Sequence, residues 1–170
     1  MTIDYFPACM VQVFGEEGAP SDDPTTDPNG GLTRFGISQT QHPEVNVAAL
    51  TQTTAIAWYR SAIWNPGACG SMPWPVCLAV FDADVNQGNG TGARLLQASV
   101  GVSVDGYIGP VTLAAVQAAD PWDLTARILA KRGVAYTQDR EWPMDGEGWL
   151  YRTASLALYA GRFTPSPPQS

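Results

Sequence analysis

The sequence predicts an α+β fold that is mostly helical and carries one small β-hairpin near the start of the chain. Most of the chain consists of apolar segments at helical spacing, separated by glycine, proline or capping residues. Only one early segment combines dense turn residues with partial β character. With 170 residues, of which 45 % are apolar and 15 % charged, the chain is long enough for one globular core.

The first predicted helix is the apolar run that ends in Glu16 and Glu17. Glu17 follows Phe14 by three residues and Val13 by four, so it continues the buried face of that helix. Gly18 is a natural residue to end the helix. We expect the helix dipole and desolvation to raise the pKa of a carboxylate placed there, which suits a general acid working near neutrality.

The next segment is predicted to fold as a β-hairpin beside that helix end. Asn29-Gly30-Gly31 supplies the turn, and Leu32–Ile37 has partial β character. Such a hairpin brings Asp27 and Thr33 into one cleft with Glu17, and a carboxylic acid facing a carboxylate across a gap is the glycosidase arrangement. From residue types alone, a surface loop beside a solvated glutamate is the simpler interpretation.

The segments Glu17-Gly18-Ala19 and Asp27–Ser38, which reads DPNGGLTRFGIS, resemble the signature of glycoside hydrolase family 108. In that family Glu-Gly-Gly is followed by Asp-Pro-Gly-Gly-x-Thr-x-x-Gly-Ile. Its members are N-acetylmuramidases with a lysozyme-like fold, found largely as phage endolysins. The resemblance implies that Glu17 is the catalytic acid, that Asp27 and Thr33 hold or activate water, and that no metal or organic cofactor takes part. The order Glu, Asp, Thr also resembles the lysozymes of T-even phages.

The rest of the chain is predicted to be helical. Helices are expected from Ser38, kept short by Pro43; from Thr51 to about Trp64; from Pro75 to Gln87; from Gly92 to Val100; from Gly109-Pro110; from Asp120 to about Tyr136; and from Trp149 to Tyr159, after a loop at Glu141–Gly148. In the helix that follows Asp120, we assign Arg127, Lys131 and Arg132 to the solvated face.

Two later segments extend the resemblance along nearly the whole chain. Val80–Gly88 is similar to the family's Phe-Asp-x-x-Val-Asn-x-Gly segment, which makes Asp82 and Asn86 either structural residues or residues of the saccharide groove. Val102–Val116 resembles the Val-Asp-Gly-x-x-Gly-Pro pattern of small helical peptidoglycan-binding modules. A simple turn-helix joint also explains this pattern, because Asp105-Gly106 favours a tight turn.

Tryptophans in loops are the candidates for stacking on sugar rings, because an aromatic face binds the C–H surface of a sugar. Trp64, Trp74 and Trp142 lie in segments rich in proline and glycine. We therefore predict that these three residues bind substrate.

The resemblance predicts one lysozyme-like domain over residues 1–163. Its catalytic half covers residues 1–88, and a helical, peptidoglycan-binding-like half covers 89–163. Residues 164–170, rich in proline and serine, are predicted to be a disordered tail.

Charge and cysteine content exclude several classes of function. The net charge of −7 and pI near 4.4 argue against nucleic acid as a partner. The three cysteines and the single His42 do not have the spacing of a metal site. A Cys69–Cys77 disulfide is one alternative, and free thiols are the one we prefer for a cytoplasmic product.

The sequence contains no apolar run of the roughly 18 to 20 residues that span a membrane, and no secretory signal is evident at its start. We expect a monomer that is made in the host cytoplasm and acts on the cell wall, in the periplasm or outside.

The resemblance implies hydrolysis of the β-1,4 bond between N-acetylmuramic acid and N-acetylglucosamine in peptidoglycan. A lytic transglycosylase, in which Glu17 is both acid and base, is the enzymatic alternative. A non-catalytic peptidoglycan-binding or virion module stays open for two reasons. Ala19 replaces the family's second glycine, and the loop before Asp27 is longer than in the family.

Overall fold

A computed structural model describes residues 3–16, 25–26 and 31–163 of the chain. Its helices are α1 Phe6–Glu16, α2 Gln52–Tyr59, α3 Val76–Gln87, α4 Thr91–Val100, α5 Pro110–Ala118, α6 Pro121–Thr137 and α7 Trp142–Arg162. Its strands are β1 Thr25–Thr26, β2 Leu32–Arg34 and β3 Ile37–Ser38. The fold is mostly helical with one small antiparallel sheet, which confirms the predicted fold class.

Local signals start several helices where the sequence predicts them. The Thr51 hydroxyl accepts a hydrogen bond from the Thr54 backbone N–H, and the Thr54 hydroxyl accepts one from Thr51 N–H, which makes a capping box at α2. The Asp120 carboxylate accepts hydrogen bonds from the first two N–H groups after Pro121 and so caps α6. Helix α2 continues through the π-helical turn Arg60–Trp64, close to the predicted end.

The small sheet is held against α2. Thr25 pairs with Thr33 across β1 and β2, so the chain reverses between residues 26 and 32, where the hairpin turn is predicted. A third strand, β3, pairs with β2 and was not predicted. The turn that joins them is Phe35-Gly36, both with positive φ, and the Tyr59 hydroxyl donates a hydrogen bond of 3.0 Å to the Phe35 carbonyl. This bond fixes the sheet to α2.

Helix α3 lies at the centre of the molecule and contacts α1, α4 and α6. Its first nine residues are all buried. Helix α7 packs on α6 and returns to α1, and one hydrophobic cluster includes Phe6 and Phe81 as well as Leu124 and Leu156. The core is therefore shared between the segments 1–88 and 89–163.

The structure corrects two predicted segments. No helix begins at Ser38; its hydroxyl accepts a hydrogen bond from Thr40 N–H and makes a local turn instead. The predicted loop Glu141–Gly148 is the first part of α7, with Pro143 near the start of that helix. Gly146 is a packing position, because a Cβ there would lie 2.7 Å from the Trp142 ring, whereas a Cβ at Gly148 would contact nothing.

The three cysteines are buried free thiols, which is the alternative that we preferred. None of the helices in the described ranges is long and apolar enough to cross a membrane.

Candidate active site

A cleft of about 400 Å³ lies between the sheet, α2 and the C-terminal end of α3. It is lined by Gly36, Gln41, His42, Trp58, Tyr59, Ile63 and Asp84–Asn89. The Phe14 ring, near the end of α1, contacts the Tyr59 ring edge-on with the ring centroids 6.1 Å apart. The end of α1 and the sheet therefore both lie close to this cleft.

The predicted catalytic carboxylates, Glu17 and Asp27, lie outside the described residues. The structure does describe the segments that lead to them: α1 ends at Glu16, directly before Glu17, and β1 ends at Thr26, directly before Asp27. Thr33 lies in β2, opposite Thr25 and Ser38. The catalytic roles of Glu17, Asp27 and Thr33 remain predictions.

Asp82 is fully buried and forms an ion cluster with two arginines from the C-terminal half. One carboxylate oxygen accepts a hydrogen bond of 2.5 Å from Arg132 in α6, and the other accepts one of 2.9 Å from Arg152 in α7. A side chain without exposed surface does not line a groove. These contacts therefore agree with the structural role considered for Asp82 and not with a role in the saccharide groove. Arg132 is also fully buried, so its assignment to a solvated face is wrong.

Asn86 lies one turn after Asp82 and lines the cleft. Its side-chain oxygen accepts hydrogen bonds of 3.0 Å from Arg132 and 2.7 Å from the Tyr136 hydroxyl. The neighbouring Gln87 also lines the cleft, and its side-chain oxygen accepts a bond of 2.9 Å from Arg132. The buried ion cluster therefore continues into two amides at the wall of the cleft.

Two of the tryptophans predicted to bind sugar lie in the core. Trp64 is 3 % exposed and contacts the Phe6 ring edge-on, and Trp74, 7 % exposed, donates a hydrogen bond to the Ala160 carbonyl. Trp142 is half-buried at the start of α7 and is not among the residues that line the cleft. The structure therefore offers neither Trp64 nor Trp74 as an exposed stacking platform.

Trp58 is the tryptophan that lines the cleft, and it lies within α2 rather than in a loop. Its ring is half-buried and contacts the His42 ring edge-on, with centroids 4.6 Å apart. The Tyr59 hydroxyl holds the sheet directly beside it. The spacing of apolar residues along α2 does not distinguish Trp58 from core residues. Trp58 lines a cleft because the sheet packs beside this part of α2, and that contact is not visible in the local sequence.

Asp84 is a buried carboxylate among the residues that line the cleft. It accepts a hydrogen bond of 2.8 Å from the Gly92 backbone N–H and so caps α4 from the neighbouring helix. Burial raises the pKa of Asp84 from 3.8 to about 6, although the backbone N–H groups of Gly92 and Gly90 act in the opposite direction.

This shift predicts a pH dependence of stability that Asp84→Asn removes. Because the pKa is higher in the folded than in the unfolded protein, wild type loses stability as the pH rises from about 4 to 6. The asparagine does not ionise and keeps an oxygen toward Gly92, so it should gain on the order of 2 to 3 kcal/mol relative to wild type between pH 4 and 7. Urea unfolding at several pH values measures this difference.

Asp105 provides a control of opposite sign. Its hydrogen bond from Gln97 lowers the pKa of its carboxyl, so the stability that it contributes is lost as the pH falls. The free energy of unfolding of Asp105→Asn should therefore become smaller than that of wild type as the pH rises. If the free energy of unfolding changed with pH in the same way for wild type and Asp84→Asn, a raised pKa at Asp84 would be contradicted.

Comparison with known proteins identifies the family. The family model described as Glycosyl hydrolase 108 matches residues 10–88, the segment that contains Glu17, Asp27, Thr33 and Asn86. The solved structure of SagA from Brucella abortus is 31 % identical in sequence and superposes with a TM-score of 0.80, covering 95 % of this chain and 96 % of that one. No curated protein matches the chain. The family match and the likeness to SagA together show that the chain belongs to glycosyl hydrolase family 108.

Proposed function

We propose that this glycoside hydrolase is an N-acetylmuramidase that cleaves the β-1,4 bond between N-acetylmuramic acid and N-acetylglucosamine, and that it serves as a phage endolysin. The observation that supports this most is the position of the cleft. It lies where the end of α1, the three-stranded sheet and the end of α3 meet, and the family's acidic residues follow α1 and β1 directly.

In the proposed reaction, Glu17 protonates the glycosidic oxygen while the bond from that oxygen to the anomeric carbon of the muramic acid breaks. A water molecule adds to the anomeric carbon and gives its proton to Asp27. Thr33 in β2 would help to hold this water. A carboxyl at the C-terminal end of a helix is suited to the acid role, because the helix dipole favours its protonated form.

Trp58 is the residue that we propose for sugar stacking in place of the buried tryptophans. Its exposed part lines the cleft, and its contact with His42 fixes the ring. The helical half, residues 89–163, would act mainly by supporting the cleft wall through Arg132 and Arg152 rather than by binding glycan separately.

Mass spectrometry of the products from purified peptidoglycan tests the proposal. A muramidase releases fragments with reducing muramic acid ends. Anhydro-muramic ends would show a lytic transglycosylase, and no release would show a module without turnover. Either of these results would contradict the proposed function.

The stereochemistry of the product tests the role of Asp27. If Asp27 is the base, its carboxyl must lie roughly 6.5 to 9.5 Å from that of Glu17 to leave room for water, and the product emerges with inverted configuration. We expect Asp27→Asn to remove most of the activity and Thr33→Ala to remove less. NMR of the fresh product gives the anomer. Retention of configuration would rule out Asp27 as the base, and full activity in Asp27→Asn would leave it as a turn residue.

A further inference from the structure

A buried positive charge lies behind the cleft wall. Asp82 contacts both Arg132 and Arg152, so the cluster holds two guanidinium groups and one carboxylate. The guanidinium of Arg132 has no exposed surface. Its Nη1 donates to Asp82, and its other two nitrogens face side-chain amides of α3. Nε donates to the oxygen of Gln87 and Nη2 donates to the oxygen of Asn86.

These bonds determine which way the two amides point. A guanidinium can only donate hydrogen bonds, so the amide oxygens must face Arg132 and the –NH₂ groups must face away from it. The Tyr136 hydroxyl, which donates to the same oxygen of Asn86, strengthens this orientation. In the part of the chain that the structure describes, neither the Asn86 nor the Gln87 amide nitrogen has a hydrogen-bond partner. Both residues line the cleft.

We propose that Asn86 and Gln87 form a donor wall that binds the carbonyl oxygen of a substrate acetamido group. Arg132 and Tyr136 are positioning residues, because they hold the amide oxygens away from the substrate. An acetamido group also carries a methyl group, and Ile63, Val85 and Trp58 provide apolar lining in the same cleft. The inference rests on the proposed function, since it names the part of the glycan that the cleft recognises.

The test measures binding without turnover, in the Glu17→Gln background, by calorimetry with two oligosaccharides. The tetramer of N-acetylglucosamine carries acetamido groups and no lactyl group, and the tetramer of glucosamine carries neither. We expect the acetylated tetramer to bind at least about tenfold more tightly, the usual effect of one or two added hydrogen bonds. Peptide-free glycan strands serve as the third ligand.

Asn86→Asp is the informative variant because aspartate has the same shape and still offers an oxygen to Arg132 and Tyr136. It replaces the –NH₂ group with a second oxygen, so binding of the acetylated tetramer should weaken by about tenfold or more. Binding of the cationic glucosamine tetramer should strengthen. The thermal midpoint should stay equal or rise, since the new charge lies beside the positive cluster. Gln87→Glu should behave in the same way.

Two controls separate binding from stability and charge. Gln117→Glu adds the same charge on the exposed surface of α5, outside the cleft, and should change none of these affinities. Tyr136 does not line the cleft, and Tyr136→Phe removes one of the two hydrogen-bond donors to the Asn86 oxygen. If Tyr136 positions Asn86, this variant should raise KM on peptidoglycan severalfold with kcat unchanged. A purely structural role of Tyr136 would change only the thermal midpoint.

The proposal is overturned if both tetramers bind the Glu17→Gln protein equally, or if glycan strands bind and the acetylated tetramer does not, which would assign recognition to the lactyl group. It is also overturned if Asn86→Asp and Gln87→Glu bind the acetylated tetramer as tightly as the unsubstituted amides. Failure of the muramidase proposal has a different signature, since wild type would then release no reducing muramic acid ends while these affinities keep their pattern.

Discussion

Glu17→Gln is expected to lower peptidoglycan hydrolysis by about 10² to 10⁴-fold and to leave the fold unchanged. The amide keeps the size and shape of the side chain but has no acid proton to give to the leaving oxygen. The core residues that α1 contributes, from Phe6 to Val13, all precede Glu17, and the substitution leaves them in place. The measurements are the rate of wall hydrolysis and the urea midpoint of both proteins.

Glu16→Gln is the matched control. Glu16 is the last residue of α1. Consecutive side chains of a helix point about 100° apart, so if the helix continues into Glu17 as the sequence predicts, we expect Glu16 not to reach the same cleft. Its substitution should have little effect on the rate. Loss of activity in Glu16→Gln together with full activity in Glu17→Gln would show that the motif is assigned one residue out of register.

Asp82→Asn is expected to have the largest effect on stability, lowering the free energy of unfolding by about 3 to 5 kcal/mol. The substitution leaves Arg132 and Arg152 buried side by side with no carboxylate between them. An uncompensated buried charge is costly, and here two like charges also repel. Urea unfolding of wild type and variant under the same conditions gives the difference.

Asp123→Asn shows what an exposed ion pair is worth in the same protein. Asp123 and Arg127 lie one turn apart on α6, 2.6 Å from atom to atom, with both side chains largely exposed. Removing this pair should change stability by no more than about 0.5 kcal/mol. Similar losses in Asp82→Asn and Asp123→Asn would show that the buried cluster contributes nothing beyond a surface pair.

The starts of the helices could be predicted because their signals are local. Thr51 and Asp120 accept hydrogen bonds from backbone groups two or three residues away, so the pattern is contained in a few letters of sequence. Arg132 has no such signal. It lies on a helix whose neighbouring charges are exposed, and its partner Asp82 is distant in sequence, so spacing assigned it to solvent when in fact it is buried.

The cleft was harder to predict than the helices because its residues come from segments that are distant in sequence. The acidic and amide residues of the family motifs were identified from the sequence, and Asn86 does line the cleft. The aromatic residues could not be sorted in this way. Trp74 lies in a turn rich in proline and glycine yet packs against Tyr159 of the last helix and Phe163, which directly follows that helix. Trp58, in contrast, lies within a helix and reaches the cleft.

The buried cluster also sets an order of events during translation. Asp82 leaves the ribosome 50 residues before Arg132 and 70 residues before Arg152. At roughly 5 to 20 residues per second, about 4 to 14 s pass before the second arginine is made. Until Arg132 is made, α3 has no counter-charge with which to bury its carboxylate, and Asn86 and Gln87 have no guanidinium to orient them; the cluster is complete only when Arg152 follows. The nascent N-terminal half therefore stays without a finished cleft until most of the chain has been synthesised.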